Sequence, residues 1–224
     1  VNKQFNIQEL TIEDVQSSWA GLRPLIHEDG KAPSELSRKD EIFVSDSGLI
    51  SIAGGKLTGY RMMAKRTVDL VCSKFAEPRI NNFKSSTETL NLSGSNFANG
   101  DLSELLKTLE SAELNQNLLT QLAKRYGSNL SVVLDNYHLK KSRSLDDDLL
   151  LAELKYCVEH EMVRELSDFL IRRTGRLYFS RESVASKLEW LNNQLAEMMQ
   201  WDKATKEKSL YNCQHEFDAV LQFD

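Results

Sequence analysis

The sequence predicts an α+β protein that is mainly α, a small β-containing segment followed by a helical domain. Three observations carry that prediction. Apolar residues recur at three- and four-residue spacing almost throughout the chain beyond residue 101. Short alternating runs of the kind that form strands occur only in the first third. Between the two lies Glu77 to Gly100, a stretch of low hydrophobicity rich in Asn, Ser and Gly ("RINNFKSSTETLNLSGSNFANG"), which reads as a connection or a long surface loop. With 224 residues, the chain is long enough to bury a real core as one large domain or two small ones.

Each element arises from local chemistry. In "NIQELTIEDVQSSWAGLRPLI", Thr11 is an N-cap for a short first turn carrying Glu13 and Asp14. The chain then becomes extended, because the Arg23-Pro24 step disfavours helix at Arg23. "HEDGKAPSELSRKD" is loop, rich in turn formers. "EIFVSDSGLISIAGG" reads as a hairpin, with Ile42 to Val44 and Leu49 to Ala53 joined by a Ser-Asp-Ser-Gly turn. From Leu57, the residues Tyr60, Met63, Ala64, Val68, Val71, Cys72 and Phe75 mark one helical face, which Pro78 ends. After the connection, helical segments run from "DLSELLKTLESA" to "WDKATKEKSLYNCQHEFDAVLQF". Gly127 and Gly175 read as helix stops, and Ser131 and Ser180 as caps of the next helices.

Composition narrows the function classes. The net charge of −5, with 27% charged residues, argues against a nucleic-acid binder, which would show a basic face. Three widely spaced cysteines fit reduced packing positions in a cytosolic protein better than a disulfide framework. No apolar run approaches the roughly 20 residues that span a bilayer. The opening "VNKQFNIQEL" has no apolar signal region, and it starts on valine, so the expectation is of a fragment or a processed product.

Chemistry concentrates at "SIAGGKLTGYR". Gly54 and Gly55 let the backbone turn sharply and approach a ligand, and the adjoining helix offers unpaired N–H groups and a partial positive charge. Lys56 adds a full charge and Thr58 a hydroxyl. The plain alternative is a tight strand-to-helix turn with a solvated lysine, and the spacing is not that of a P-loop. Arg23 sits in an apolar extended stretch, where a charge is costly unless it meets an anion or a carboxylate such as Asp40 or Glu41. Arg38, in "LSRKDEIF", reads as a surface residue by pattern alone. "VEHEM" lacks the second histidine of a zinc-protease helix, so no metal is expected. "RRTGR" (Arg172 to Arg176) is a basic patch at a helix end, either a dipole-favoured cluster or a contact for phosphate, acidic lipid or another subunit. Trp190, Leu191, Leu195, Met198 and Met199 share one helix side and read as core.

Taken together, "SSWAGLRPLI…PSELSRKDEIFVSDSGLISIAGGKLTGYRMMA" resembles the C-terminal part of the FAD-dependent glycerol-3-phosphate dehydrogenases, called α-glycerophosphate oxidases when oxygen is the acceptor, in the form found in low-GC Gram-positive bacteria. "AKRYGSNLSVVLDN", "DFLIRRTGRLYF" and "QWDKATKEK" resemble that family's helical C-terminal domain. The resemblance covers nearly the whole chain, least clearly from about Arg79 to Asn115.

It implies a division into residues 1–76, the C-terminal part of the FAD- and substrate-binding oxidoreductase domain, a connector at 77–114, and a helical C-terminal domain at 115–224. It implies that Arg23 and Arg38 bind the phosphate dianion of glycerol 3-phosphate, and that Gly54, Gly55, Lys56, Leu57 and Thr58 run along FAD, with Lys56 near its reacting edge. Arg23 and Lys56 are then the catalytic candidates. The implied reaction oxidises sn-glycerol 3-phosphate to dihydroxyacetone phosphate and passes electrons through FAD to a quinone or oxygen. Such an enzyme is expected in the cytoplasm or on the inner face of the membrane, with a homo-oligomer and a peripheral membrane contact as open partners. A different class of reading treats the helical domain as a non-catalytic module for subunit association or membrane-surface contact. The Gly-x-Gly-x-x-Gly turn that binds the FAD pyrophosphate is not in this sequence. The expectation is therefore of a fragment of about two fifths of the enzyme, inactive alone and without bound FAD, with apolar faces around Trp19, Leu22, Ile42 and Phe43 partly exposed.

Overall fold

The computed structural model describes residues 10–22, 26, 40–75, 84–97, 100–109, 114–139 and 144–222. These form a mainly helical chain with a small two-stranded sheet, in two compact units. One unit is Ala20–Asn91, and the other joins Val1–Trp19 to Leu92–Asp224.

In the smaller unit, strand β1 (Asp40–Val44) pairs antiparallel with β2 (Ile50–Gly54), with Ile42 opposite Ile52 and Asp40 opposite Gly54. The Ser-Asp-Ser-Gly turn closes through Gly48 N–H to the Ser45 carbonyl at 2.9 Å and Ser45 N–H to the Leu49 carbonyl at 3.0 Å. One 3-10 turn (Leu57–Gly59) leads into helix α1 (Tyr60–Ser73). The helix ends through Lys74 N–H on the Val71 carbonyl, ahead of Pro78, which lies outside the described residues, as does most of the turn-rich loop before β1. No described residue of this unit is buried. A lone two-stranded hairpin is marginal in water, and among the described residues the apolar stripe of α1 is nowhere buried.

The larger unit holds the core. Its helices are α2 (Leu102–Thr108), α3 (Gln116–Tyr126), α4 (Leu130–Leu139), α5 (Leu145–His160), the short α6 (Arg176–Phe179) and α7 (Glu182–Ala185), α8 (Leu188–Met199) and α9 (Lys203–Ala219). A π-helical turn (Asp168–Arg173) precedes α6. Side-chain caps start four of them. Asp101 accepts from Ser103 N–H, Asn115 from Leu118 N–H, Ser144 from Asp147 N–H and Asp202 from Thr205 N–H. Each such cap is worth about 1 kcal/mol. Ser131 lies inside α4 and donates to the Ser128 carbonyl, and Ser180 closes α6, so neither is the opening cap that the sequence predicts.

Helix α4 packs on α5, α8 on α9, and α5 touches α8. Between them Leu130, Leu154, Leu166, Phe169, Leu170, Leu177, Leu191 and Leu195 have no solvent exposure. Full burial of such side chains contributes about 1.5–3 kcal/mol each relative to exposure. Met198, Met199 and Trp190 pack partly buried against this core, as the spacing predicts.

The helix stops at Gly127 and Gly175 are both in left-handed conformations, φ 55° and 64°. Gly127 also meets another backbone, since Ser128 N–H donates to the Gly94 carbonyl at 2.8 Å and a Cβ on Gly127 would collide with that oxygen. The segment from Leu92 is thereby fixed to the helical unit. Within the stretch 77–114, α2 forms, and Leu105 and Leu114 enter the core. Two well-placed leucines suffice for that, even where average hydrophobicity is low. At the other end, residues 10–19 also belong to the helical unit, although they stand far from it in sequence.

Candidate functional site

The Gly54–Thr58 junction forms as the residues require. Gly54 (φ 76°) and Gly55 (φ 91°) both take the left-handed conformation that a side chain would resist. A Cβ on Gly55 would also run into the Met63 thioether. The pair turns the end of β2 sharply into the 3-10 turn, which closes through Gly59 N–H on the Lys56 carbonyl at 2.8 Å. The first amides of that turn lack intrahelical acceptors by construction. Gly54, Lys56, Leu57 and Thr58 are all exposed, Leu57 at 89%.

Charges around the junction sort into paired and free. Arg66 forms an ion pair with Asp40, Lys65 with Asp69 at 2.6 Å, and Arg61 with Glu88 at 3.3 Å. The Lys56 ammonium makes no ion pair or hydrogen bond with any described residue. Asp40, one of the two carboxylates that the sequence offers to Arg23, is engaged by Arg66. Among the described residues, the junction thus presents an ammonium without a partner on an exposed, glycine-lined edge. Such an edge can hold an anion or the electron-rich rim of a flat ring. Arg23 and Arg38 lie outside the described residues.

A second constellation, inside the helical unit, is not forecast by the sequence pattern. Glu153 is 1% exposed, on the buried face of α5. Its carboxylate accepts from Arg125 at 2.5 Å, from the Tyr126 hydroxyl at 2.8 Å, and from Arg176. Desolvation works against the charge on Arg125, but the adjoining carboxylate outweighs it and the pKa is raised. Burial, reinforced by the Glu153 charge, pushes the Tyr126 phenol well above its ordinary range. A cavity of about 420 Å³ opens beside this cluster, lined also by Gln121, Asp146, Glu182 and Lys187. Cations and anions balance along its wall, so it has no net pull for an ion of either sign. The sequence does carry a signal for the cluster. Glu153 follows Leu149 and Leu150 by four and three residues in an apolar helix, where a carboxylate demands a partner.

The basic patch resolves into pairs. Arg172 meets Asp168 at 3.0 Å, Arg173 lies 3.9 Å from Glu161, and Arg176 turns inward to Glu153. The π-turn, in which Thr174 N–H donates to the Phe169 carbonyl at 2.9 Å, spaces them this way. Among the described residues, no three His, Cys, Asp or Glu side chains gather where they could hold a metal ion, and no helix is long and apolar enough to cross a membrane.

Along the chain, a hairpin and a glycine-lined junction are followed by a mainly helical unit. The sequence profile of the C-terminal domain of alpha-glycerophosphate oxidase matches residues 85–206, and the chain belongs to that family. The aerobic glycerol-3-phosphate dehydrogenase of Bacillus subtilis is 43% identical over 223 residues, which are 95% of this chain and 40% of the relative. That of Staphylococcus epidermidis is 35% identical over 217 residues, 92% of this chain and 38% of the relative. The crystal structure of the glycerol-3-phosphate dehydrogenase from Bacillus halodurans complexed with FAD superposes with a TM-score of 0.79 at 37% identity, covering all of this chain and 44% of that one. The chain therefore spans about two fifths of the length of the curated relatives it matches.

Proposed function

We propose that this chain supplies the substrate-arginine segment, a flavin-contacting edge and the helical domain of an FAD-dependent glycerol-3-phosphate dehydrogenase. The enzyme oxidises sn-glycerol 3-phosphate to dihydroxyacetone phosphate and passes the electrons to a quinone or to oxygen. It works in the cytoplasm or at the inner face of the membrane. The observation that carries the reading is the exposed Gly54–Thr58 edge, where the Lys56 ammonium has no partner among the described residues, placed in order behind Gly-Leu-Arg-Pro-Leu in a chain of this family.

When bound, FAD would accept a hydride and gather negative charge at one end of its ring. The glycine-lined edge fits such a ring, because glycines let the backbone approach it and the Lys56 ammonium, without a partner among the described residues, can stabilise that charge. Arg23 and Arg38 would hold the substrate phosphate, a dianion remote from the reacting carbon. Arginine's planar fork suits that task, and the positioning energy it supplies lowers the barrier.

Two experiments test the reading. In the complete enzyme that carries this chain, Lys56→Ala and Arg23→Ala should each lower kcat/KM on glycerol 3-phosphate by about 100-fold or more, with folding intact. Normal kinetics would refute the site. The isolated chain, mixed with FAD and passed through a desalting column, should retain no yellow colour and reduce no dye acceptor. A flavin-loaded, active chain would show that these residues need no other part of the enzyme.

A further inference from the structure

The cavity beside Glu153 lies wholly within the helical unit, lined from α3, α5, α6, α7 and the two residues that follow α7. At about 420 Å³ it has the size of a small-molecule pocket. Its wall carries the cations Arg125, Arg176 and Lys187 and the anions Asp146, Glu153 and Glu182. These balance in number but not in place. Lys187 is already paired at 2.7 Å with Asp147, which does not line the cavity. Arg125 and Arg176 share one carboxylate, that of the buried Glu153, so the inner end holds one positive charge more than it neutralises. Arg176 also keeps a buried Nε–H with no acceptor among the described residues. A buried donor in that state is costly.

The rim has the opposite character. Asp146 and Glu182 are exposed, and their carboxylates make no ion pair or hydrogen bond with any described residue. Leu118, Leu122 and Leu149 complete the lining with apolar surface. A phosphate dianion would exceed the inner surplus and meet repulsion from both rim carboxylates. A simple amine would leave the arginines unserved. A molecule with one carboxylate, one or two ammonium groups and a short aliphatic stem answers the whole wall.

We propose that this cavity binds a free amino acid, a basic one by preference. Its α-carboxylate lies on Arg125 and Arg176, its ammonium groups face Asp146 and Glu182, and its stem packs on the leucines. Arginine's planar fork suits a carboxylate. The rim charges stand in water and are screened, so the affinity is modest, with a Kd of about 1 mM. The site belongs to the helical domain and is independent of the role proposed for the Gly54–Thr58 edge.

The test is an NMR titration of the isotope-labelled chain with L-lysine, L-norleucine, cadaverine and hexanoate. L-lysine should saturate, with amide shifts concentrated in α3, the start of α5 and α7. L-norleucine, which lacks only the second ammonium, should bind about threefold more weakly. Cadaverine lacks the carboxylate and hexanoate both ammonium groups, and each should bind at least about tenfold more weakly than L-lysine. The Asp146→Asn/Glu182→Gln pair alters exposed side chains only, and it should weaken L-lysine about tenfold. Arg125→Gln leaves Glu153 paired with Arg176 and should weaken both amino acids about tenfold. If that variant does not fold, the rim pair decides. The site is overturned by the absence of saturation with L-lysine up to about 20 mM, or by shifts that spread away from the cavity. Hexanoate or cadaverine binding as tightly as L-lysine overturns it too, as does an unaltered L-lysine affinity in the rim pair.

Discussion

Helices α1 and α8 carry the same kind of apolar stripe in sequence, but they meet different fates. In α8, Leu191 and Leu195 are fully buried. In α1, no residue is buried and Val68 keeps 56% of its surface in water. The hairpin beside α1 is no better covered, with Phe43 at 47% and Val44 at 45%. Periodicity states that a helix has an apolar face, but it does not state what lies against that face. The helical unit supplies its own answer, whereas the described residues of the unit Ala20–Asn91 do not. Under the proposed function, the remainder of a flavin-binding domain would cover that stripe.

The contrast can be broken in graded steps. The largest effect should come from Glu153→Ala, which leaves two half-buried guanidiniums facing each other and a buried Tyr126 hydroxyl without an acceptor. Urea unfolding of the chain should show a loss of about 3–5 kcal/mol. Leu191→Ala removes a side chain with no solvent exposure and should cost about 2–4 kcal/mol in the same assay. The equivalent truncation on the other unit, Val68→Ala, should change stability by no more than about 0.5 kcal/mol. A Val68→Ala loss as large as that of Leu191→Ala would mean that α1 has a core after all.

Alkaline titration sharpens the comparison in a different way. Burial, helped by the nearby Glu216 carboxylate, pushes the Cys213 thiol up from its ordinary 9.0 to about 12. Cys157 shifts in the same direction through burial and then the charge of Glu161. A raised pKa means that the folded state holds the proton more tightly than the unfolded chain. This contribution is complete below pH 9 and is lost as pH rises toward 12. The melting temperature of the helical unit should therefore fall between about pH 9 and pH 12, with a shallower slope in Cys213→Ala. Native-state hydrogen exchange at neutral pH is the subtlest readout. Amides of α5 and α8 should be strongly protected and those of α1 weakly so, and equal protection would erase the distinction between the units.

Much of the architecture was legible beforehand. Alternation over Ile42–Val44 and the Ser-Asp-Ser-Gly turn specify a hairpin locally, and the observed strands add two residues at the start of β1 and shift β2 by one, from the expected Leu49–Ala53 to Ile50–Gly54. Gly127 and Gly175 ended helices because few other residues accept a positive φ. The Gly54–Gly55 turn was legible for the same reason. The caps were less so, because any of several polar residues near a helix start can serve, and Asn115, Ser144 and Asp202 took the role that Ser131 and Ser180 did not. The Glu153 cluster was visible only as an anomaly, a carboxylate in an apolar run. Its partners Arg125 and Arg176 stand 28 and 23 residues away, and no local rule names them.

By itself, the sequence determined the helix stops, the hairpin, the glycine-lined junction and the words that carry the family, because each is written in residues adjacent along the chain. The tertiary structure alone decided that Arg176 turns inward while Arg172 and Arg173 pair at the surface, and that the stretch after residue 92 joins the helical unit. It also decided that Ser17, Ser18 and Trp19 are held by residues near the far end of the chain. Those outcomes depend on which faces meet, and packing selects them by excluding water from the best-fitting pairs across long sequence separations.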